Sequence, residues 1–231
     1  MSDYNPPRRS RLYEPDKPFK LSRSKVELFT QCPRCFYLDR VHGIDHPPGF
    51  PFTLNTAVDS LLKREFDQHR GLGTAHPLMT AAGLNLKPFS HPQLDTWRYN
   101  FTGVQTTYGD NLTFYGAVDD VWVDPDGVLT VVDYKATGKE IPVTALDLPH
   151  HAGYKRQIEF YQWLLRRNGF TVSPRAWFVY CTGDPSAGTF NNVLTFRTHL
   201  IPYDGNDAWV EPTLDQLISC LQAGVIPESG R

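Results

Sequence analysis

Three residues in one short segment have the types that phosphoryl or glycosyl hydrolysis uses. Tyr115–Gly138 reads YGAVDDVWVDPDGVLTVVDYKATG and carries Asp119, Asp133 and Lys135. Residues 113–123 and 128–136 are two β-rich runs, and side chains alternate faces along a strand. Tyr115, Ala117, Asp119, Val121 and Val123 therefore share one face of the first run, and Leu129, Val131, Asp133 and Lys135 share one face of the second. Pro125-Asp126-Gly127 between them suits a type I turn whose glycine, at positive φ, makes a G1 bulge. Asp124 then faces Val128. Counting back along both strands sets Asp119 directly opposite Asp133.

Directly opposed side chains lie about 5 Å apart at Cβ, where like charges repel. Two such carboxylates need a shared proton or a cation. Lys135 supplies one positive charge, and a divalent ion would supply the rest, with oxygen ligands favouring Mg²⁺ or Mn²⁺. The spacing alone leaves a second reading open, a solvated sheet face with an ordinary Asp–Lys pair of little energetic weight. Val121, Val131 and Ala117 on the same face argue that it is not simply solvated.

Two helices bring further polar groups toward such a face. A helix over 149–168 places Tyr154, Ile158, Tyr161, Leu164 and Leu165 on one stripe, with Gln157 inside it one turn before Tyr161. A glutamine turned to the core needs hydrogen-bond partners, or it costs about 1–3 kcal/mol. Either a neighbouring loop satisfies it, or Gln157 and Tyr161 reach the carboxylates. An earlier helix over 54–70 has the stripe Leu54, Val58, Leu61, Leu62 and Phe66, with Asp59 at its edge. A lone boundary aspartate is more often a surface residue than a ligand.

The remaining elements frame these. A helix opens near Ser24, where Ser24 and Glu27 have capping-box spacing, and Pro33 interrupts or restarts it. Residues 71–109 are hard to read, although QLDTWRYNF has the character of a short helix. Strands are expected over 175–181 and 193–199, and a last helix over 213–222. Residues 1–20 are a basic, proline-broken arm, and 21–231 form one α/β domain with a small central sheet flanked by helices.

Composition narrows the class. The 231 residues include 23 Lys+Arg against 25 Asp+Glu, for a net charge of −2, which excludes a globally basic nucleic-acid coat but not a local basic groove. Arg34, Arg40, Lys63, Arg64, Lys155 and Arg156 are candidates for such a path, and a solvated helix face accounts for at least half of them. No apolar run approaches a membrane span, and the N-terminus lacks secretory character, so a cytoplasmic location is expected. Four cysteines in this length are not a disulfide scaffold.

Taken together, the segments resemble the PD-(D/E)XK nuclease superfamily, specifically its RecB-like exonuclease branch. That branch includes CRISPR-associated RecB-like exonucleases and the nuclease domains of bacterial recombination helicases. SKVELFTQCPRCFYL is similar to the opening helix with its CPR motif, GAVDDV to the strand of the first catalytic aspartate, VVDYKATG to the Asp-x-Lys motif and YKRQIEFY to the Gln-x-x-x-Tyr motif. The likeness covers about residues 22–168.

It implies a restriction-endonuclease-like core of mixed sheet and flanking helices. It further implies a Mg²⁺- or Mn²⁺-dependent deoxyribonuclease in DNA repair, recombination or defence, with DNA and a helicase or other repair protein as partners. Asp119, Asp133, Lys135, Gln157 and Tyr161 would be catalytic. Asp119, Asp133, the Tyr134 carbonyl and Asp59 would hold metal, Asp59 standing where the family usually has a histidine. Many relatives carry a four-cysteine iron–sulfur cluster. Here Cys32 and Cys35 are followed only by Cys181 and Cys220, the close C-terminal triplet is missing, and no cluster is expected.

Other readings predict different things. A catalytically silent DNA-binding or partner-binding module would often have lost the lysine or an aspartate, and here the set is complete. A glycosidase pair would flank a sugar cleft without an adjacent lysine. A cysteine-based metal regulator would reveal itself by bound iron or zinc.

Overall fold

The computed structural model describes residues 12–45, 53–138, 141–186 and 188–228. Arg8, Arg9 and Arg11 of the basic arm lie outside them. The described residues form eight strands and seven α-helices: β1 (Phe19–Ser22), α1 (Arg23–Gln31), α2 (Pro33–Val41), α3 (Thr53–Leu72), α4 (Pro77–Ala81), β2 (Lys87–Pro88), α5 (Leu94–Arg98), β3 (Val104–Thr107), β4 (Leu112–Gly116), β5 (Asp120–Val123), β6 (Leu129–Thr137), α6 (Ala152–Arg167), β7 (Arg175–Gly183), β8 (Phe196–Asp204) and α7 (Val210–Gln222). A five-stranded sheet runs β2-β5-β6-β7-β8, with β6 and β7 parallel and the other pairs antiparallel. A three-stranded sheet runs β1-β4-β3.

The large sheet is covered on both faces, which is why β5 and β6 are buried almost end to end. On one face Val121, Val131 and Phe178 pack with Ile158 and Leu164 of α6. On the other, Trp122, Val132 and Tyr134 pack with Val58, Leu62 and Phe66 of α3. The expected α3 stripe is only half buried, because Leu54 and Leu61 are exposed. Burial follows Val58, Leu62 and Phe66, the ridge that meets β6.

Other expectations change in detail. Ser24 does not cap α1: Ser22 occupies the N-cap, and its hydroxyl meets that of Ser24 at 2.8 Å. Glu27 instead takes a two-pronged bond from Arg156, 2.9 and 2.6 Å, which ties α1 to α6. Burial pushes the Glu27 carboxyl up, and Arg156 overcomes this to hold it below its ordinary range. β1 begins within the span assigned to the arm, with Phe19 buried and Tyr13 donating its N–H to the Arg40 carbonyl at 2.8 Å.

The run expected as one strand over 113–123 is two strands in two sheets. It breaks at residues 117–119, where the Val118 N–H is tied to the Trp97 carbonyl at 3.1 Å. Past the break the expected register holds. Asp120 pairs with Val132 and Val123 with Leu129, the Asp124 N–H reaches the Val128 carbonyl at 3.1 Å, and Gly127 turns with φ +82°.

Candidate active site

The break before β5 puts Asp119 at the junction of the two sheets. Extending the β5–β6 register by one residue sets it opposite Asp133, and its Oδ2 accepts the Tyr134 N–H at 2.8 Å. On an extended strand, a residue's N–H and C=O face the same neighbour. The Tyr134 carbonyl thus also faces the Asp119 side, where β5 no longer continues.

Asp133 is fully buried and pairs with the Lys135 ammonium. Its Oδ1 accepts no hydrogen bond. Burial raises the Asp133 carboxyl, Lys135 opposes this and Asp119 adds to it, and the result is pushed up to about 7. Burial works against the Lys135 charge, but Asp133 and Asp119 overcome it, so Lys135 stays an ammonium. It also stands 4.6 Å over the Tyr154 ring.

A cavity of about 450 Å³ opens beside this pair, lined by Asp59, Lys63, Arg98, Asp119, Lys135 and Gln157 among others. Asp59 is inside the site and not on open surface. Burial and then Asp119 raise its carboxyl above the ordinary range, against the pull of Lys63. The Lys63 ammonium lies 2.9 Å from Asp59 and 3.7 Å from Asp119, the place a cation between them would take. Gln157 donates to the Tyr161 hydroxyl at 3.1 Å, and both residues border a second cavity of about 410 Å³. The two cavities share Asn100, Asp119 and Gln157, so Asp119 stands between them.

The residues singled out from the sequence thus converge. Of the expected basic path only Lys63 lines either cavity. Arg40 is bound to Asp39, Arg156 to Glu27, and Lys155 sits over the Tyr203 ring. A buried network escaped the sequence reading. Asp120, fully buried on the α3 face, accepts from Arg98 at 2.7 Å, the Tyr134 hydroxyl at 2.8 Å and the Val121 N–H at 2.8 Å, and pairs with Arg70. It fixes the start of β5 and the Tyr134 side chain one residue from Asp119. Its doublet with Asp119 was the available signal, since adjacent strand residues face opposite layers.

Among the described residues, no three His, Cys, Asp or Glu side chains form a ready coordinating group. The donors nevertheless suit a hard divalent ion. They are oxygens, burial raises the Asp133 and Asp59 carboxyls, and a lysine ammonium stands beside each. The cysteines lie apart from this chemistry. Cys32 and Cys35 form a disulfide at the α1–α2 junction, while Cys181 packs in the α3-side core with its thiol at 3.4 Å from the Thr198 hydroxyl.

A mixed sheet between helices thus carries two carboxylates and a lysine at a strand break. The sequence matches the model of the PD-(D/E)XK nuclease superfamily over residues 20–194, and the chain belongs to that superfamily. Comparison with curated proteins gives no match. Among solved structures, the crystal structure of SSO0001 is similar over 90% of this chain and 78% of its own, at 15% identity and a TM-score of 0.41. Among the described residues, no helix is long and apolar enough to cross a membrane.

Proposed function

We propose that this protein is a metal-dependent deoxyribonuclease that hydrolyses phosphodiester bonds at the Asp119–Asp133–Lys135 cluster. The observation that carries this reading is the buried Asp133 carboxyl, pushed up to about 7 with one oxygen unsatisfied, beside a second carboxylate and an ammonium. Asp119, Asp133, Asp59 and the Tyr134 carbonyl would hold Mg²⁺ or Mn²⁺. A divalent ion bound there would polarise the phosphate and lower the pKa of an attacking water.

The chain's own groups do the positioning. Lys135, kept charged, aims its ammonium at charge developing on the phosphate. Gln157 fixes the Tyr161 hydroxyl beside the second cavity. Asp120, through Arg98 and Tyr134, holds the backbone that carries Asp119. Arg23, Lys25 and Lys63 border the two cavities, but Lys25 pairs with Asp39 and Lys63 with Asp59, so with the near-neutral total DNA binding would be modest and salt-sensitive, or would depend on delivery by a partner.

Membership of the RecB-like branch, and with it a role in repair, recombination or defence beside a helicase, is supported by the ordered CPR, GAVDDV, VVDYKATG and YKRQIEFY segments. The test is incubation of closed circular and end-labelled linear DNA, single- and double-stranded, with Mg²⁺, Mn²⁺ or EDTA. Cleavage with either metal and none in EDTA is expected. Its complete absence from folded protein would favour a silent nuclease-fold binding module. Release of mononucleotides from linear DNA alone would identify an exonuclease.

A further inference from the structure

The turn after α5 carries two large aromatic side chains that no core uses. Tyr99 is 56% and Phe101 74% exposed, and their ring centroids are 5.5 Å apart at an angle of 57°. Asn100 between them lines both cavities, and Phe101 itself borders the second. The turn is built rigidly. The Gly103 and Thr102 N–H groups donate to the Tyr99 carbonyl at 2.8 and 3.0 Å, and the Thr102 hydroxyl donates to the Thr96 carbonyl at 2.7 Å.

The turn is also clamped to the site. Gly103 has φ +61°, and a Cβ there would stand 2.4 Å from the Gly116 carbonyl oxygen. A Cβ on Gly116 would in turn stand 2.5 Å from the Tyr161 ring. These close approaches leave room only for glycine and hold the backbone of the turn against β4, beside Tyr161. Two exposed rings on this turn, at a groove bordered by Arg23 and by the ion-paired Lys25 and Lys63, have the parts of a single-strand site: a cation for the backbone and π faces for the bases.

We propose that Tyr99 and Phe101 form a base-stacking platform that binds unpaired nucleobases next to the phosphate at Asp119. The inference rests on DNA being the substrate and goes beyond it by naming the feature recognised. Bases within an intact duplex present only their edges and cannot stack on these rings, so the platform favours single strands or frayed ends.

The test is fluorescence anisotropy in EDTA, so that binding is read without cleavage. The probes are a labelled thymidine strand of about 20 nucleotides, an abasic strand of the same length and a duplex of that length, long enough to span a typical single-strand site. The Tyr99→Ser/Phe101→Ser double variant is expected to bind the thymidine strand about tenfold more weakly, following the usual worth of one to two stacked bases. Duplex affinity is expected to stay unchanged, and the abasic strand to bind wild type no better than the thymidine strand binds the double variant. Tyr99→Trp/Phe101→Trp should retain single-strand affinity. Equal binding of thymidine and abasic strands by wild type, no loss in the double variant, or no single-strand binding at all would each overturn the platform. Cleavage in Mg²⁺ or Mn²⁺ that survives such a result would leave the nuclease reading standing without it.

Discussion

Asp133→Asn should remove a loss of stability that the metal-free protein otherwise undergoes as pH rises toward the alkaline side of about 7. The carboxyl is fully buried, and burial, aided by Asp119 and opposed by Lys135, lifts it from 3.8 to about 7 in the folded chain. A raised carboxylate favours the folded state while protonated. Its contribution is therefore fully present below about pH 3.8 and is lost as pH rises through about 7. The interval corresponds to roughly 4 kcal/mol at about 1.36 kcal/mol per pH unit, an upper bound for the wild type. The Asp133→Asn variant has no such dependence, and its neutral amide leaves the charge of Lys135 near Asp119 in place.

The assay is urea unfolding of both proteins in EDTA from mildly acidic to mildly alkaline pH, followed by circular dichroism. The difference between the two cancels other titrating groups, including Asp59, which is raised too, and Glu27 and Asp39, which are lowered. The variant should gain on the wild type by a few kcal/mol across this range, and added Mn²⁺ should close the gap by stabilising the wild type alone. Parallel pH profiles for the two proteins, or equal stabilisation of both by Mn²⁺, would refute the view of Asp133 as a buried carboxylate awaiting a cation.

Four other outcomes follow. Asp120→Ala leaves Arg98 and Arg70 with Asp67 alone among the described residues and the Tyr134 hydroxyl without its acceptor, and should cost about 1–3 kcal/mol in urea unfolding. Gly116→Ala drives a methyl into the Tyr161 ring and should slow cleavage and lower stability by about 1–3 kcal/mol, checked together by rate and denaturation. Lys63→Ala removes the cation between Asp59 and Asp119 and should tighten Mn²⁺ binding in a calorimetric titration, whereas Asp59→Ala should weaken it. Gln157→Leu frees the Tyr161 hydroxyl and should reduce turnover with little change in stability, measured by initial rates beside thermal unfolding.

Much of the site was legible because two periodicities are short-range. The Pro125-Asp126-Gly127 turn dictates the register of β5 on β6, and the register alone brings Asp119 to Asp133. The helical repeat places Gln157 beside Tyr161 for the same reason. What stayed hidden depends on distant partners. The break of 117–119 is imposed by Trp97 and by the change of sheet, which no local pattern announces. Ser24 and Glu27 fit a capping box in isolation, but Arg156, 129 residues away, binds Glu27 instead. The value of Asp120 emerges only once α3 and α5 deliver Arg70 and Arg98 beneath it. Leu54 and Leu61 fit the stripe but lie exposed at its outer edge among the described residues.

The most direct test of the central claim is the cleavage rate of labelled DNA in Mg²⁺ or Mn²⁺ by wild type, Asp133→Ala and Lys135→Ala, each shown to be folded. The site described here predicts metal-dependent cutting by the wild type and its loss, by roughly a hundredfold or more, in both variants. Cutting that either variant retains at the wild-type rate would contradict it.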